Sequence, residues 1–430
     1  MTIDVSQHMP KDGAAAAALA VTPILNALRG SAILALAARV RKLKAGGANI
    51  CDLTVGDFSS KQFPIPASLE QGIEDALRAG HTNYPPADGV PELKEAVAAL
   101  YKRELGLDYP SSGVVIGGGA RPPLYACWRL FAGPGDRTIS FVPSWNNGYY
   151  AHLTSADHRF VPTTAANNFF PTADAVRAEL PGARLIMLNS PLNPTGTAIA
   201  PDVLADISQA IVDENRRRAG QPPVMLCYDQ VYWMLTFGET RHVNPVALVP
   251  EIAPYVVHVD AISKSFAATG VRVGWAVMPP YLAPKMAALV GHMGAWAPRA
   301  EQIAAAHLLN APEAMAEYRA TMRAGVEARL NKLYVGISDM KANGLPVDAI
   351  RPQGGIYLSF HVDLIGRGFS TNSEIANFLI DEAGVAIVPF QAFDLEEDSG
   401  WFRMSVGAVS VEELDGALER IEAAIRRRAG

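Results

Sequence analysis

Residues 256–275 read VVHVDAISKSFAATGVRVGW. The first part, VVHVDAI, is a continuous apolar run of the kind that forms a strand buried on both faces of a parallel sheet. It stops at one lysine, Lys264, flanked by the small residues Ser263, Ser265, Ala267 and Ala268. The next cation is Arg272, eight positions on. A lysine at the exit of a buried strand, with no acidic sequence neighbour, is set up to lose its proton rather than to be solvated. A neutral amine in such a place is a nucleophile toward carbonyl groups.

Working outward, apolar runs and helical patterns alternate from about residue 65. The runs are GVVIGG, RTISFVP, HRFVPT, ARLIMLN, PVMLCYD and RVGWAVMP. Helical segments such as PLYACWRLF and APDVLADISQAIVDENRRR lie between them. That alternation predicts an α/β three-layer sandwich around a mostly parallel central sheet. Beyond about residue 300 the texture changes to long helical stretches and a few strands, GGIYLSFHV, GVAIVPF and WFRMSVG. This reads as a smaller α+β domain. The expected division is residues 1–64 as an N-terminal arm and part of the small domain, 65–305 as the large domain, and 306–430 as the small C-terminal domain.

Composition limits the function. The 430 residues carry 37 basic and 43 acidic side chains, well mixed, for a formal net charge of −6. Nucleic-acid binding needs a concentrated basic face, which is absent from the sequence. Cys51, Cys127 and Cys227 are an odd number without a CxxC pair, so neither a disulfide framework nor a thiolate metal site is expected; reduced thiols fit the cytoplasm. The stretch GAAAAALAVTPILNAL lacks the basic flank of a signal peptide. Thr22 and Pro23 break it short of the length of about 18 residues that a membrane span requires. It is expected to be an arm packed on the body or on a partner chain.

Ligands of parallel sheets sit at the C-terminal ends of strands. Three further strand ends carry notable chemistry. VMLCYD ends at Asp229, with Tyr232 three residues on. LIMLN runs into SPLNPTG, which presents Asn193. VVI runs into GGGARPPLY, a glycine turn opening a helix whose first turn contains Pro122. Such a turn offers backbone N–H groups to a phosphate. It is neither a P-loop nor GxGxxG, so the phosphate need not belong to a nucleotide. Taken singly, each feature is equally well read as a cap, a turn or a solvated charge. A phosphate cradle, an amine nucleophile and a carboxylate for a ring nitrogen together describe pyridoxal 5′-phosphate (PLP).

In this order the motifs NYPPADGVPELKEAV, GGGARPPLY, PSWNNGYY, SPLNPTG, YDQVY, SKSFAATGVRVGW, PQGGIY and FRMSVG resemble the aspartate-aminotransferase-like, fold-type I PLP enzymes, from about residue 28 to the C-terminus. The resemblance implies that Lys264 binds PLP and moves the proton, that Asp229 pairs with the ring nitrogen, and that Tyr232 and Asn193 meet the ring hydroxyl. It implies Trp145 stacked on the ring, with Ala120, Arg121 and Arg272 on the phosphate. Tyr84 would reach the phosphate of a second subunit, which implies a homodimer with shared sites. Arg403 and the backbone at Gly56 would hold the substrate carboxylate. Departures from the family fall at the substrate edge: Ala261 three residues before the lysine, GDF for GEPDF, and Phe390 in VPFQAF. Trp296, with His292 and Arg299 nearby, would come from the neighbouring subunit and, with Phe58 and Phe390 on the other side, would form a mouth for bulky neutral or aromatic side chains. The expected activity is transfer of an amino group between an L-α-amino acid and a 2-oxo acid, 2-oxoglutarate/glutamate being one pair. A β- or γ-acting C–S lyase would share every cofactor residue. A non-enzymatic sensor would need a DNA-binding domain before the body.

Overall fold

A computed structural model describes residues 2–429. Its strands are β1 (Cys51–Asp52), β2 (Val114–Gly117), β3 (Arg137–Val142), β4 (Asp157–Pro162), β5 (Ala183–Asn189), β6 (Met225–Asp229) and β7 (Val256–Ala261). They continue with β8 (Gly274–Val277), β9 (Val347–Ala349), β10 (Tyr357–Val362), β11 (Val385–Ala386), β12 (Val388–Pro389) and β13 (Trp401–Ser405).

Seven strands build one sheet in the order β2-β8-β7-β6-β5-β3-β4. Only β8 is antiparallel to its neighbours; the other adjacent pairs are parallel. The apolar runs are continuous because both faces are covered. Along β5, Leu185 and Met187 enter the core that holds Trp128, whereas Ile186 and Leu188 enter the one that holds Leu204 and Ile207. This is the period-two alternation of a strand, with apolar residues demanded on both sides. The expected three-layer α/β architecture is what the chain adopts.

Because six strands point the same way, their C-terminal ends share one edge. Asn189 lies opposite Asp229. Gly274, the first residue of β8, lies opposite both Gly117 and Ala261. The glycine turn, Asn193, Asp229, Lys264 and Arg272 are therefore delivered to one place by sheet register alone.

A second, antiparallel sheet, β12-β13-β10-β9, packs against the 31-residue helix Pro312–Ala342 and the closing helix Val411–Ala429. β1 pairs with β11, Cys51 opposite Val385, so the segment leading to Gly56 is tied to late sequence. Among the described residues, the helix Gly13–Ala20 of the N-terminal arm buries none of its side chains. Among the described residues, no helix is long and apolar enough to cross a membrane.

Gly196, at the end of the Asn-Pro-Thr-Gly turn, joins the two sheets. Its carbonyl accepts from the N–H groups of Gln353 and Gly354, at 2.8 and 3.0 Å. Its φ of +72° disfavours other residues, and a Cβ there would fall on the carbonyl of Tyr357 in β10. Gly196→Ala should therefore cost on the order of 2 kcal/mol. Thermal unfolding of the variant should show a clearly lowered Tm; an unchanged Tm would contradict this account of the junction.

Candidate active site

A cavity of about 670 Å³ opens over the shared strand edge. Lys264 sits on a short helical turn after β7, and its Nζ donates to the carbonyl of Gly56 at 2.6 Å. Burial pushes its amine down to about 8; the guanidiniums of Arg403, Arg121 and Arg272 add to the lowering, and Asp57 opposes it. The sequence reading found no acid beside Lys264. The fold supplies one from more than two hundred residues away: Asp57 lines the same cavity, and its Oδ1 accepts from Thr269 at 2.6 Å.

Asp229 also faces the cavity. Its Oδ1 accepts only from the N–H of Val231, at 3.2 Å, and desolvation lifts its carboxyl to about 7. A buried carboxyl with so little compensation is open to a cationic partner. Asn193 is placed by a bond from its N–H to Asn189 Oδ1, at 2.9 Å. The Tyr232 and Tyr357 hydroxyls meet at 2.8 Å.

Arg403, on β13, is fully buried. Its Nη1 donates to Asn193 Oδ1 at 3.0 Å and its Nη2 to the carbonyl of Thr54 at 2.6 Å. The rings of Tyr357 and Phe393 lie 4.6 and 4.8 Å from the guanidinium carbon. Its Nε has no partner, and desolvation lowers its pKa, with Tyr357 and Tyr232 opposing. No carboxylate neutralises it among the described residues, so it waits for an anion.

At the glycine turn, the helix Arg121–Phe131 starts without a side-chain cap. Pro122 and Pro123 carry no N–H, so the donors left for an anion at this helix start are the N–H groups of Ala120 and Arg121. Arg272, itself at φ +63°, donates to the carbonyls of Gly118 and Thr269 at 2.7 and 2.5 Å. A Cβ on Gly119 would overlap that guanidinium, which is why glycine stands there. The Arg121 guanidinium lies 4.7 Å from the Trp145 ring centroid.

Of the residues expected at the site, Gly56, Ala120, Arg121, Trp145 and Asn193 line this one cavity. So do Asp229, Tyr232, Lys264, Arg272 and Arg403. The expected mouth is built differently. Phe390 has no exposed surface and packs behind Phe169, so it does not line the cavity. Trp296 and Tyr84 lie outside it, edge to face at 5.5 Å, with Tyr84 83% exposed. His292, Arg299 and Phe58 are likewise not cavity residues, though the Phe58 ring comes within 5.9 Å of Lys264 Nζ. The wall is made instead by Phe141, Phe169 and Phe170, and by Ile33 and Leu34 of the helix Ala32–Ala45. Apart from the PQGGIY motif, which carries Tyr357, nothing in the sequence flags these positions.

The cavity thus holds an uncapped helix N-terminus with two guanidiniums, an amine that loses its proton near neutrality, and a carboxyl without a cation. Those groups fit the phosphate, aldehyde and ring nitrogen of PLP. The family profile described as aminotransferase class I and II matches residues 48–421. The chain belongs to that family. A probable aspartate/prephenate aminotransferase of Rhizobium leguminosarum bv. phaseoli is 29% identical over 407 residues, covering 93% of this chain and 96% of the relative. An aspartate aminotransferase of Geobacillus stearothermophilus is 29% identical over 408 residues, covering 94% and 98%. The solved aspartate aminotransferase of Rhizobium meliloti superposes with a TM-score of 0.85 at 27% identity, covering 95% of this chain and 99% of that one. This aminotransferase is a PLP-dependent enzyme of fold type I.

Asp57 makes a prediction for this aminotransferase. An acid that favours the charged amine raises the pH at which Lys264 becomes nucleophilic. Asp57→Asn should shift the acid limb of cofactor uptake by the apoenzyme to lower pH, with uptake at pH 7 faster than in the parent. Absorbance-monitored reconstitution across pH checks this, and an unmoved limb would remove Asp57 from the account.

Proposed function

We propose that this aminotransferase moves the amino group between an L-α-amino acid and a 2-oxo acid in two half-reactions, with 2-oxoglutarate/glutamate as one pair. The observation that carries the reading is Lys264 in one cavity with two uncompensated groups, the Asp229 carboxyl and the Arg403 guanidinium.

In this reading Arg403 binds the substrate α-carboxylate, preset by Asn193, Thr54 and the two flanking rings. Lys264 would hold the cofactor at its aldehyde end, and its amine would carry the proton away from the substrate Cα. Its amine, poised near pH 8, can take and return that proton near neutral pH. Asp229 keeps the cofactor ring nitrogen protonated. Bound PLP supplies the electron sink for the pair left at Cα. Asn193 and Tyr232 would meet the ring hydroxyl, Trp145 would offer a ring face, and Arg272 with the turn at Ala120 and Arg121 would hold the phosphate. A dicarboxylate acceptor needs a second cation, and Arg121 and Arg41 line the cavity without a carboxylate partner among the described residues.

Exposed Tyr84, packed edge to face on half-buried Trp296, supports a homodimer in which each copy completes the other's site. The three buried, unpaired cysteines suit a reducing, cytoplasmic setting.

Borohydride reduction followed by peptide mass spectrometry should place the pyridoxyl group on the peptide containing Lys264; another lysine would overturn the assignment. Lys264→Ala should lower kcat by about 10²–10⁴-fold through lost proton transfer alone. Asp229→Ala should keep much of its cofactor yet lose most of its turnover, and near-normal transamination would count against its role. Arg403→Lys should raise KM for amino and oxo acids alike, because an ammonium does not reproduce a planar fork. An effect confined to one substrate would make Arg403 a side-chain selector. A lyase acting through the same residues would release pyruvate or ammonia instead of leaving the amino group on the cofactor.

A further inference from the structure

Two successive non-glycine residues, Asn168 and Phe169, have φ of +52° and +59°. Asparagine tolerates that region, but a phenylalanine there is an outlier, and such outliers concentrate where function constrains the backbone. The turn is held from several sides. Phe169 N–H donates to Thr164 and Phe170 N–H to Asn167, both at 2.9 Å, and Thr197 Oγ1 donates to the Asn168 carbonyl at 2.8 Å.

The result is a ring fixed at the cavity wall. Phe169 is 3% exposed, and its ring lies 5.3 Å from Phe390 and 5.4 Å from Trp401, both edge to face. Phe390 in turn meets Phe393, which covers Arg403. The same apolar cluster takes in Leu192, beside Asn193, and packs against Ile33 and Trp145. A substrate with its carboxylate on Arg403 therefore has this aromatic wall on one side. Of the cavity's other guanidiniums, Arg272 is tied to the glycine turn, Arg121 rests on Trp145, and Arg41 lies further along the helix that carries Ile33 and Leu34.

We infer that Phe169 is a specificity-determining residue, closing the side-chain end of the cavity with an apolar face that selects amino donors with large uncharged side chains, aromatic or branched. This rests on the proposed transamination and on Arg403 as the carboxylate anchor. It also relocates the aromatic mouth expected from the sequence: Phe390 contributes by bracing Phe169 from behind.

The test separates binding from turnover. Two unreactive acids, 3-phenylpropionate and glutarate, are titrated calorimetrically into the holoenzyme and into Phe169→Gly, in which glycine accepts the positive φ and the ring is gone. The parent should bind 3-phenylpropionate about tenfold more tightly than glutarate, and the variant should lose most of that ratio. Phe169→Leu, which keeps an apolar chain without the ring, should move the ratio the same way and serves if the glycine variant does not fold. Tighter glutarate binding by the parent, or equal weakening of both acids in the variants, overturns the inference. Failure of the transamination reading would show separately, as no turnover of any amino acid with 2-oxoglutarate while the two acids still bind.

Discussion

The guanidinium of Arg403 is bonded to two other parts of the chain at once. It comes from β13 of the small sheet, reaches Asn193 on the turn after β5, and reaches Thr54 just after β1. Each bond leaves the cation charged, because amide and carbonyl oxygens do not neutralise it. Two aromatic rings fix its plane and exclude water. Its Nε has no partner among the described residues. Together with the Gly196 junction, this buried group holds the two sheets in place and hence the cavity between them.

Comparing two carboxyls one strand apart shows how the fold separates structure from function. Asp260 on β7 and Asp229 on β6 are both desolvated, lifted to about 8 and about 7. Asp260 accepts from Trp233 Nε1 and from the N–H of Ala261, each at 2.7 Å, and does not line the cavity. Its needs are met within the protein. Asp229 has one longer backbone bond and faces open volume. Desolvation alone does not identify a functional acid; desolvation without satisfaction does.

What was legible in the sequence were features written locally. Strand ends, the Asn-Pro-Thr-Gly turn and the Lys264–Arg272 spacing are set within a few residues, and sheet register does the rest. The Asp57–Lys264 proximity was not legible, because it depends on β1 pairing with a strand more than three hundred residues later. Phe390 was misplaced for a related reason. An aromatic residue in a motif gives its approximate neighbourhood, but whether it forms a wall or the layer behind it depends on what packs in front. Phe169 occupies the front here. The positive φ of Phe169 is invisible in sequence, since glycine or asparagine is the residue that normally signals it.

The pairing of β1 with β11 also orders events during synthesis. The bond between Thr54 and Arg403 spans 349 positions, and Gly56, which receives the Lys264 amine, lies on the same early segment. The large sheet can assemble once β8 has left the ribosome, bringing Lys264, Asp229 and the glycine turn together. Residues 51–57, although made first, have no partner strand until residue 385 emerges, and no guanidinium to hold until residue 403 does. The nascent chain therefore carries an assembled cofactor edge with an unfinished substrate side, and its last quarter decides when the enzyme begins to work.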